Sequence, residues 1–274
     1  MKLTHDYVCI CGNKDFSRVF VYTEPPEKEV RFESVQHDKY YREVLKCDLC
    51  GHYVSLSEMD ITALYTGDYV ASNYMDIEGI HENFKRINSL DPKESDNTAR
   101  TVRVNEFAKK HFSNDIGGKT LLDIGSGLGV FPYTMKQLGW VCTALDPDSN
   151  AVRHLERHVG VRAVKGEFLA ISDPGRFDVI TFNKVLEHVQ DPVSMLVKSQ
   201  EHLRQGGFVY LEVPDGEMAA CDGKDREEFS IDHLHVFSFL SVTILAQKAG
   251  FTPVLLERLQ EPSTKYTLRM FLTK

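Results

Sequence analysis

The run Leu121-Leu122-Asp123-Ile124-Gly125-Ser126-Gly127-Leu128-Gly129 constrains this chain more than any other stretch. It sits where an apolar β-like segment, KTLLDI, hands over to a helix. Glycines there let the backbone approach a ligand closely, and the helix N-terminus beyond offers N–H groups without intrahelical partners. A nucleotide-type cofactor is implied. A dinucleotide site prefers G-x-G-x-x-G/A, but the third glycine comes one residue early and Val130 holds the expected place, which disfavours NAD and FAD.

After Gly118, β-like runs alternate with helical stretches: KTLLDI, WVCTAL, VRAVK, RFDVITF and GFVYLEV, then TPVLLERL and YTLRMFL. Such alternation predicts an α/β, Rossmann-like fold, a seven-stranded, mainly parallel sheet with helices on both faces. Only the turn-rich Gln260 to Lys265 separates the last two runs, so they are read as a hairpin that makes one edge antiparallel. Three units are expected: a cysteine-bearing module over residues 1–58, a helical connector or lid over 59–117, and the α/β domain over 118–274. In the connector, Ser95-Asp96 can cap a helix in which Val104, Phe107, Ala108, His111 and Phe112 recur at helical spacing. Tyr69, Tyr74, Asn97 and Arg100 are its candidates for closing over a ligand.

The glycine run resembles the first motif, D-x-G-x-G-x-G, of class I S-adenosylmethionine (SAM)-dependent methyltransferases. Phe177-Asp178-Val179-Ile180 and Leu203-Arg204-Gln205-Gly206-Gly207 resemble that family's fourth and fifth strand regions. The resemblance spans roughly residues 118–274. It implies SAM as cofactor and S-adenosylhomocysteine as product, with Asp123, Gly125, Ser126, Gly127 and Gly129 at the methionine end. Asp146 and Pro147 close the next strand, where an acidic tip suits the ribose hydroxyls. Glu167 and Phe168 take the adenine border by resemblance, and Asn183 ends the fourth strand at the same side of the sheet.

Cys9-x-Cys11-Gly12 and Cys47-x2-Cys50-Gly51 supply four thiolates in two knuckle-like pairs, a ligand set that suits a closed tetrahedral zinc. A structural, non-catalytic Zn2+ in a ribbon-like module is expected. The first pair has one intervening residue where two are usual, so His5 or His52 is an alternative ligand and an empty site another outcome.

Two further segments carry chemistry at the strand tips. Asn183-Lys184-Val185-Leu186-Glu187-His188 follows the fourth strand, and Asp232-His233-Leu234-His235 follows the fifth. Methyl transfer to a hydroxyl is helped by a base that removes its proton during attack, and histidine suits that task near neutral pH. His233 is the first choice as base and His188 the second, with Glu187 or Asp232 orienting the imidazole. A divalent cation held by Glu187, His188, His233 and His235 is the alternative. Some methyltransferases carry Glu-x-x-Glu-His for that purpose, but Lys184 stands at the first Glu position.

The ribbon, the tyrosine-containing connector and the Asp-His loop together resemble methyltransferases that modify nucleotide-linked sugars in antibiotic and surface-polysaccharide pathways. This chain is shorter than the C-methylating members and has Ser230 where a tyrosine precedes their motif, so O-methylation of a sugar-like small acceptor is expected. An rRNA methyltransferase and a catalytically inactive SAM-binding scaffold are the competing readings. A net charge of −8 and the lack of a Lys/Arg stripe argue against nucleic acid. No apolar run reaches the ~18 residues of a membrane helix, and MKLTHDYVCICG lacks a secretory pattern, so a cytoplasmic location without membrane contact is expected.

Overall fold

The computed structural model describes residues 7–27, 29, 40–57, 59 and 77–274. His5, Tyr69 and Tyr74 lie outside them. The N-terminal region forms β1 (Phe16–Tyr22), β2 (Arg42–Cys47) and β3 (Tyr53–Ser57), an antiparallel meander. Two helices follow, α1 (Ile77–Asn88) and α2 (Asp96–His111), the second capped by the Ser95 side chain, which accepts from the Thr98 N–H.

The α/β domain continues through β4 (Thr120–Ile124), α3 (Val130–Gln137), β5 (Val141–Asp146) and α4 (Ser149–His154). Next come β6 (Arg162–Lys165), β7 (Phe177–Asn183), α5 (Pro192–His202), β8 (Leu203–Pro214) and α6 (Gly216–Asp222). The chain ends with β9 (His235–Val236), α7 (Phe239–Lys248), β10 (Thr252–Gln260) and β11 (Tyr266–Thr273). The large sheet has seven strands in the order β10-β11-β8-β7-β4-β5-β6. All neighbours from β8 to β6 pair parallel. The predicted hairpin forms, and its returning strand β11 is the reversed one, inserted between β8 and the outer strand β10.

Strand periodicity explains why both faces of this sheet are covered. Leu121, Val179, Phe208, Tyr210 and Phe271 point to one face, where they meet Val104 and Ala108 of α2 and Phe131 and Met135 of α3. Leu122, Ile180, Val209, Leu211 and Met270 point to the other, against Met195 and Leu196 of α5 and Val242 and Leu245 of α7. The apolar stripe of helix α2, read from its helical spacing as packing on the following domain, is thus laid on that domain's sheet. Among the described residues no helix is long and apolar enough to cross a membrane.

The cysteine-bearing region is built into the rest of the chain. Strand β9, from the loop after β8, pairs with β3 and completes a four-stranded sheet in the order β1-β2-β3-β9. Arg42 is fully buried at this junction. Its guanidinium donates to the Phe229 carbonyl at 2.7 Å and to Glu29 Oε1 at 3.0 Å. The same Glu29 oxygen accepts the Ile231 N–H at 2.9 Å, and Tyr40 donates to Glu29 Oε2. Burial pushes the Glu29 carboxyl up, while Arg42 draws it back toward the charged form. The pair fixes the main chain on both sides of Ser230, immediately before Asp232 and His233.

Removing one member of a buried, hydrogen-bonded ion pair strands the other, at a typical cost of about 3–5 kcal/mol. Arg42→Ala is therefore expected to lower stability by about that amount in urea unfolding. A loss below about 1 kcal/mol, the range of an exposed pair, would show that water reaches Glu29 readily.

Candidate functional site

The order of the sheet reverses at β4, which lies between β7 and β5, and such a switch point leaves a crevice beyond the strand C-termini. The loop closing that crevice is tied to β5: the Gly125 and Ser126 N–H groups both donate to the Leu145 carbonyl, at 2.8 and 3.2 Å. A Cβ on Gly125 would come within 2.7 Å of Val185, and one on Gly129 within 2.6 Å of Leu155. Both positions have positive φ, so glycine is required by conformation and by space alike. At Gly127 a Cβ would meet nothing within 4 Å. Its N–H points to Asp146 Oδ2 at 2.8 Å.

Asp123 and Asp146 end adjacent strands and are both buried. Asp123 Oδ1 accepts from Thr181 at 2.7 Å and from Asn183 Nδ2 at 2.8 Å. Thr181 faces Asp123 directly in the β4–β7 register. Burial raises the Asp123 carboxyl to about 6, against the Thr181, Ser126 and Asn183 hydrogen bonds. Asp146 is likewise raised to about 6 by burial, although the Asp148 and Gly127 amides oppose the shift. Asn183, which donates to Asp123, has its Oδ1 buried without a hydrogen-bond partner.

Other expected cofactor residues are placed differently. Pro147 is exposed at the start of the turn that follows β5. Glu167 is exposed after β6, but Phe168 is buried in the core, with its ring 6.0 Å from that of Phe182 and 5.8 Å from that of His202. That packing fixes the ring at the base of the loop after β6. Asn97 and Arg100 are both tied to neighbouring elements. Asn97 Nδ2 donates to the Val130 carbonyl and to Thr134, and Arg100 Nε donates to Glu212 Oε2 at 2.7 Å.

Glu212 is a residue that motif reading missed. It lies fully buried in β8, opposite Asn183, and Arg269 Nε approaches its other oxygen to 2.7 Å. Burial alone would raise its carboxyl, but Arg100 and Arg269 outweigh that and hold it at about 2. Arg269 also grips Glu261 with two bonds of 2.7 and 2.8 Å. The main-chain N–H of Lys184 donates to the Glu212 carbonyl, so this network supports the turn into the next segment. A carboxylate interrupting the apolar strand FVYLEV was the available signal.

Beyond that turn, Glu187, His188 and His233 each bring a side-chain ligand atom within 4.8 Å of the others. The Leu234 and His235 N–H groups donate to the Glu187 carbonyl, which pins the two segments together. His188 Nδ1 lies 2.9 Å from the Asp232 carbonyl oxygen and 3.5 Å from its Oδ2. His233 Nδ1 lies 2.8 Å from the Glu228 carbonyl oxygen. A carbonyl only accepts, so Nδ1 of each carries the proton and Nε2 keeps its lone pair while the ring is neutral. Burial lowers the pKa of His233, against the pull of Asp232, which favours that neutral ring. Glu187 Oε2 is buried without a hydrogen-bond partner in this cluster.

His235 does not join them. Its Nδ1 lies 3.0 Å from Nε2 of His52, and burial lowers its pKa to about 4. His52 in turn contacts Ser241 through Nδ1, so both of its ring nitrogens are engaged away from the cysteines. The catalytic or ligating part foreseen for His235, and the ligand part foreseen for His52, are thus corrected: pairing in β9 turns both rings into the module junction.

The four cysteines converge. Cys9 and Cys50 sulfurs are 3.4 Å apart, Cys11 and Cys47 sulfurs 3.6 Å, and all four lie within 4.8 Å of one another. A tetrahedron with Zn–S bonds of about 2.3 Å has edges of about 3.8 Å, so the set fits that ion. The different spacings reach the same end because each knuckle closes on its glycine, Gly12 N–H to the Cys9 carbonyl and Gly51 N–H to the Cys47 carbonyl. Hydrogen bonding with Cys9 lowers the pKa of the Cys50 thiol.

Ubiquinone biosynthesis O-methyltransferase of Pseudomonas paraeruginosa is 31% identical over 163 residues, covering 57% of this chain and 64% of that protein. Its Albidiferax ferrireducens counterpart is 29% identical over 150 residues, covering 52% and 54%. The chain therefore spans less than two thirds of the length of these relatives. Burkholderia thailandensis 1,6-didemethyltoxoflavin-N1-methyltransferase, solved with 1,6-didemethyltoxoflavin and S-adenosylhomocysteine, shares the fold with a TM-score of 0.58 at 19% identity, over 88% of this chain and 99% of that one. Magnesium protoporphyrin IX methyltransferase of Synechocystis PCC 6803, with bound S-adenosylhomocysteine, gives 0.57 at 12%, over 77% and 98%. The family described as Methyltransferase domain matches residues 96–256, more than half of the chain. With its glycine loop, paired strand-tip carboxylates and strand reversal at β4, the chain belongs to that family, and its α/β domain is a class I SAM-dependent methyltransferase domain.

Proposed function

We propose that the protein transfers a methyl group from SAM to a hydroxyl of a small molecule. The observation that carries this reading is the Glu187–His188–His233 cluster on the loops after β7 and β8, beside the cofactor crevice. SAM supplies an electrophilic methyl group when bound. Asp146 offers carboxylate oxygens to ribose hydroxyls, and the open face of Gly127 leaves room for the cofactor's approach. The unpartnered Asn183 Oδ1 and the Asp123 carboxylate suit the ammonium of an amino-acid moiety. These features support SAM in the crevice.

Neutral His233, with its proton on Nδ1, keeps Nε2 able to accept the hydroxyl proton as the acceptor oxygen attacks. His188, oriented by Asp232, is the second base, and the buried Glu187 carboxylate stabilises whichever imidazole becomes charged. The same three side chains form a ligand set for a divalent cation that would lower the hydroxyl's pKa, which is the alternative use of this cluster. The names of the relatives favour a ring hydroxyl of a quinone precursor over the sugar hydroxyl expected from the N-terminal resemblance. The cysteine cluster is assigned a structural zinc, since four thiolates leave no position for substrate.

Three measurements test these assignments. Methyl transfer from labelled SAM is to be followed over a panel of dihydroxylated aromatic acids and nucleotide-linked sugars. Transfer to the aromatic set is expected, and His233→Ala should cut kcat by roughly 100-fold or more with SAM affinity retained. Transfer to the sugars alone would reverse the acceptor assignment, and tight SAM binding with no transfer to either set would favour a non-catalytic role.

The raised carboxyls of Asp123 and Asp146 set a pH dependence. The charged forms are the ones that accept from ammonium and hydroxyl groups, so calorimetric SAM affinity should be flat above about 6 and fall as pH drops through it. Up to about tenfold per pH unit is expected for each group. An affinity independent of pH between 5 and 8 would exclude these carboxylates as ligands.

For the cysteines, metal analysis is expected to return about one tightly held zinc per chain, with unfolding on chelation. Less than about half an ion, with folding indifferent to chelator, would remove the zinc assignment.

A further inference from the structure

Away from the acceptor side, three histidines from two separate elements converge on one point. His81 on α1, His154 at the end of α4 and His158 in the following π turn, Leu155–Val159, offer ring nitrogens that all lie within 4.8 Å of one another. The rings of His81 and His158 are 4.0 Å apart between centroids, and His154 lies 5.7 and 5.4 Å from them. His154 and His158 are four residues apart, and the wider π turn keeps both rings on the side that meets α1.

The hydrogen-bond pattern fixes what these nitrogens offer. His154 is fully buried, and its Nε2 is 3.1 Å from the Leu128 carbonyl oxygen. A carbonyl accepts only, so the proton is on Nε2 and the lone pair is on Nδ1. That Nδ1 is buried without a hydrogen-bond partner, and so is Nδ1 of His81. Buried polar atoms in folded proteins are nearly always satisfied, so two orphans in one histidine cluster call for an absent partner.

We propose that His81, His154 and His158 hold a divalent transition-metal ion that clamps α1 to the turn beneath the cofactor loop. Three imidazoles select ions of the zinc, cobalt, nickel and copper group over calcium or magnesium, which take oxygen ligands. A metal-bound imidazole usually donates its other N–H to a carbonyl or carboxylate, as His154 does to Leu128. The site braces the glycine loop from two sides, because Leu155 and Val159 of the same π turn press on Gly129, within 2.6 and 2.8 Å of where its Cβ would be. An ion there ties helix α1, which precedes the matched family region, to the backbone that faces the cofactor.

Cobalt(II) titration of the full-length protein, followed by visible absorption, tests the proposal and separates this site from the cysteine cluster. Cobalt on thiolates gives intense sulfur-to-metal charge transfer, whereas cobalt on three imidazoles gives only weak ligand-field bands. The wild-type chain is expected to take up about one ion without a thiolate signature. His158→Ala, at an exposed position whose loss leaves the packing intact, and His81→Ala should each lose that ion and leave any thiolate band unchanged. Undiminished uptake by both variants, or wild-type uptake only with thiolate charge transfer, would overturn it.

Discussion

Everything functional in this chain depends on how the glycine loop is held at the reversal of the sheet. Two successive N–H groups, those of Gly125 and Ser126, converge on the Leu145 carbonyl and fold the loop back across the tips of β4 and β5. That closure leaves no space for side chains at Gly125 and Gly129, and it brings Asp123 and Asp146 to neighbouring strand ends. Burial there raises both carboxyls, so the crevice holds two acceptors whose charged forms gain from a ligand that hydrogen-bonds to them. A loop with less constraint would let water solvate the same groups and weaken that preference.

Buried charge then extends the order outward. The Arg100–Glu212–Arg269–Glu261 network lies at the C-terminal end of β8 and fixes α2, β11 and the turn at Lys184 with respect to one another. Arg42 and Glu29 perform the same service for the segment leading to His233. Burying such groups stabilises little in total, because desolvation offsets most of the attraction, yet each misplacement leaves a charge without a partner. The networks therefore act on precision of placement. They also make the N-terminal sheet and the α/β domain one structure, since β9 belongs to the small sheet and carries the residue after Leu234.

Local chemistry was legible wherever one residue type does one job at one spacing. The glycine run, the acidic strand tips, the cysteine pairs and the closing hairpin could all be read directly, because each rests on backbone freedom, strand length or ligand count within a short segment. Ser95 as a helix cap is of the same kind. The histidines were different. Four of them, His188, His233, His235 and His81, are alike in the sequence, and only packing separates them: two meet Glu187, one meets His52, and one meets His154 and His158.

By itself, then, the sequence determined the α/β class, the glycine loop between strand and helix with its two acidic strand tips, and the two cysteine pairs, since these follow from periodicity and from residue types that few backbones accommodate. Only the tertiary structure decided which histidines stand together, that β11 is inserted inside β10, and that Arg42 reaches across to the segment before His233. Those outcomes depend on pairings between residues as much as 202 positions apart, as in the hydrogen bond from the Ile231 N–H to Glu29. The physical reason is that a buried polar atom must find a partner wherever in the chain one exists, and a linear pattern does not carry that distance.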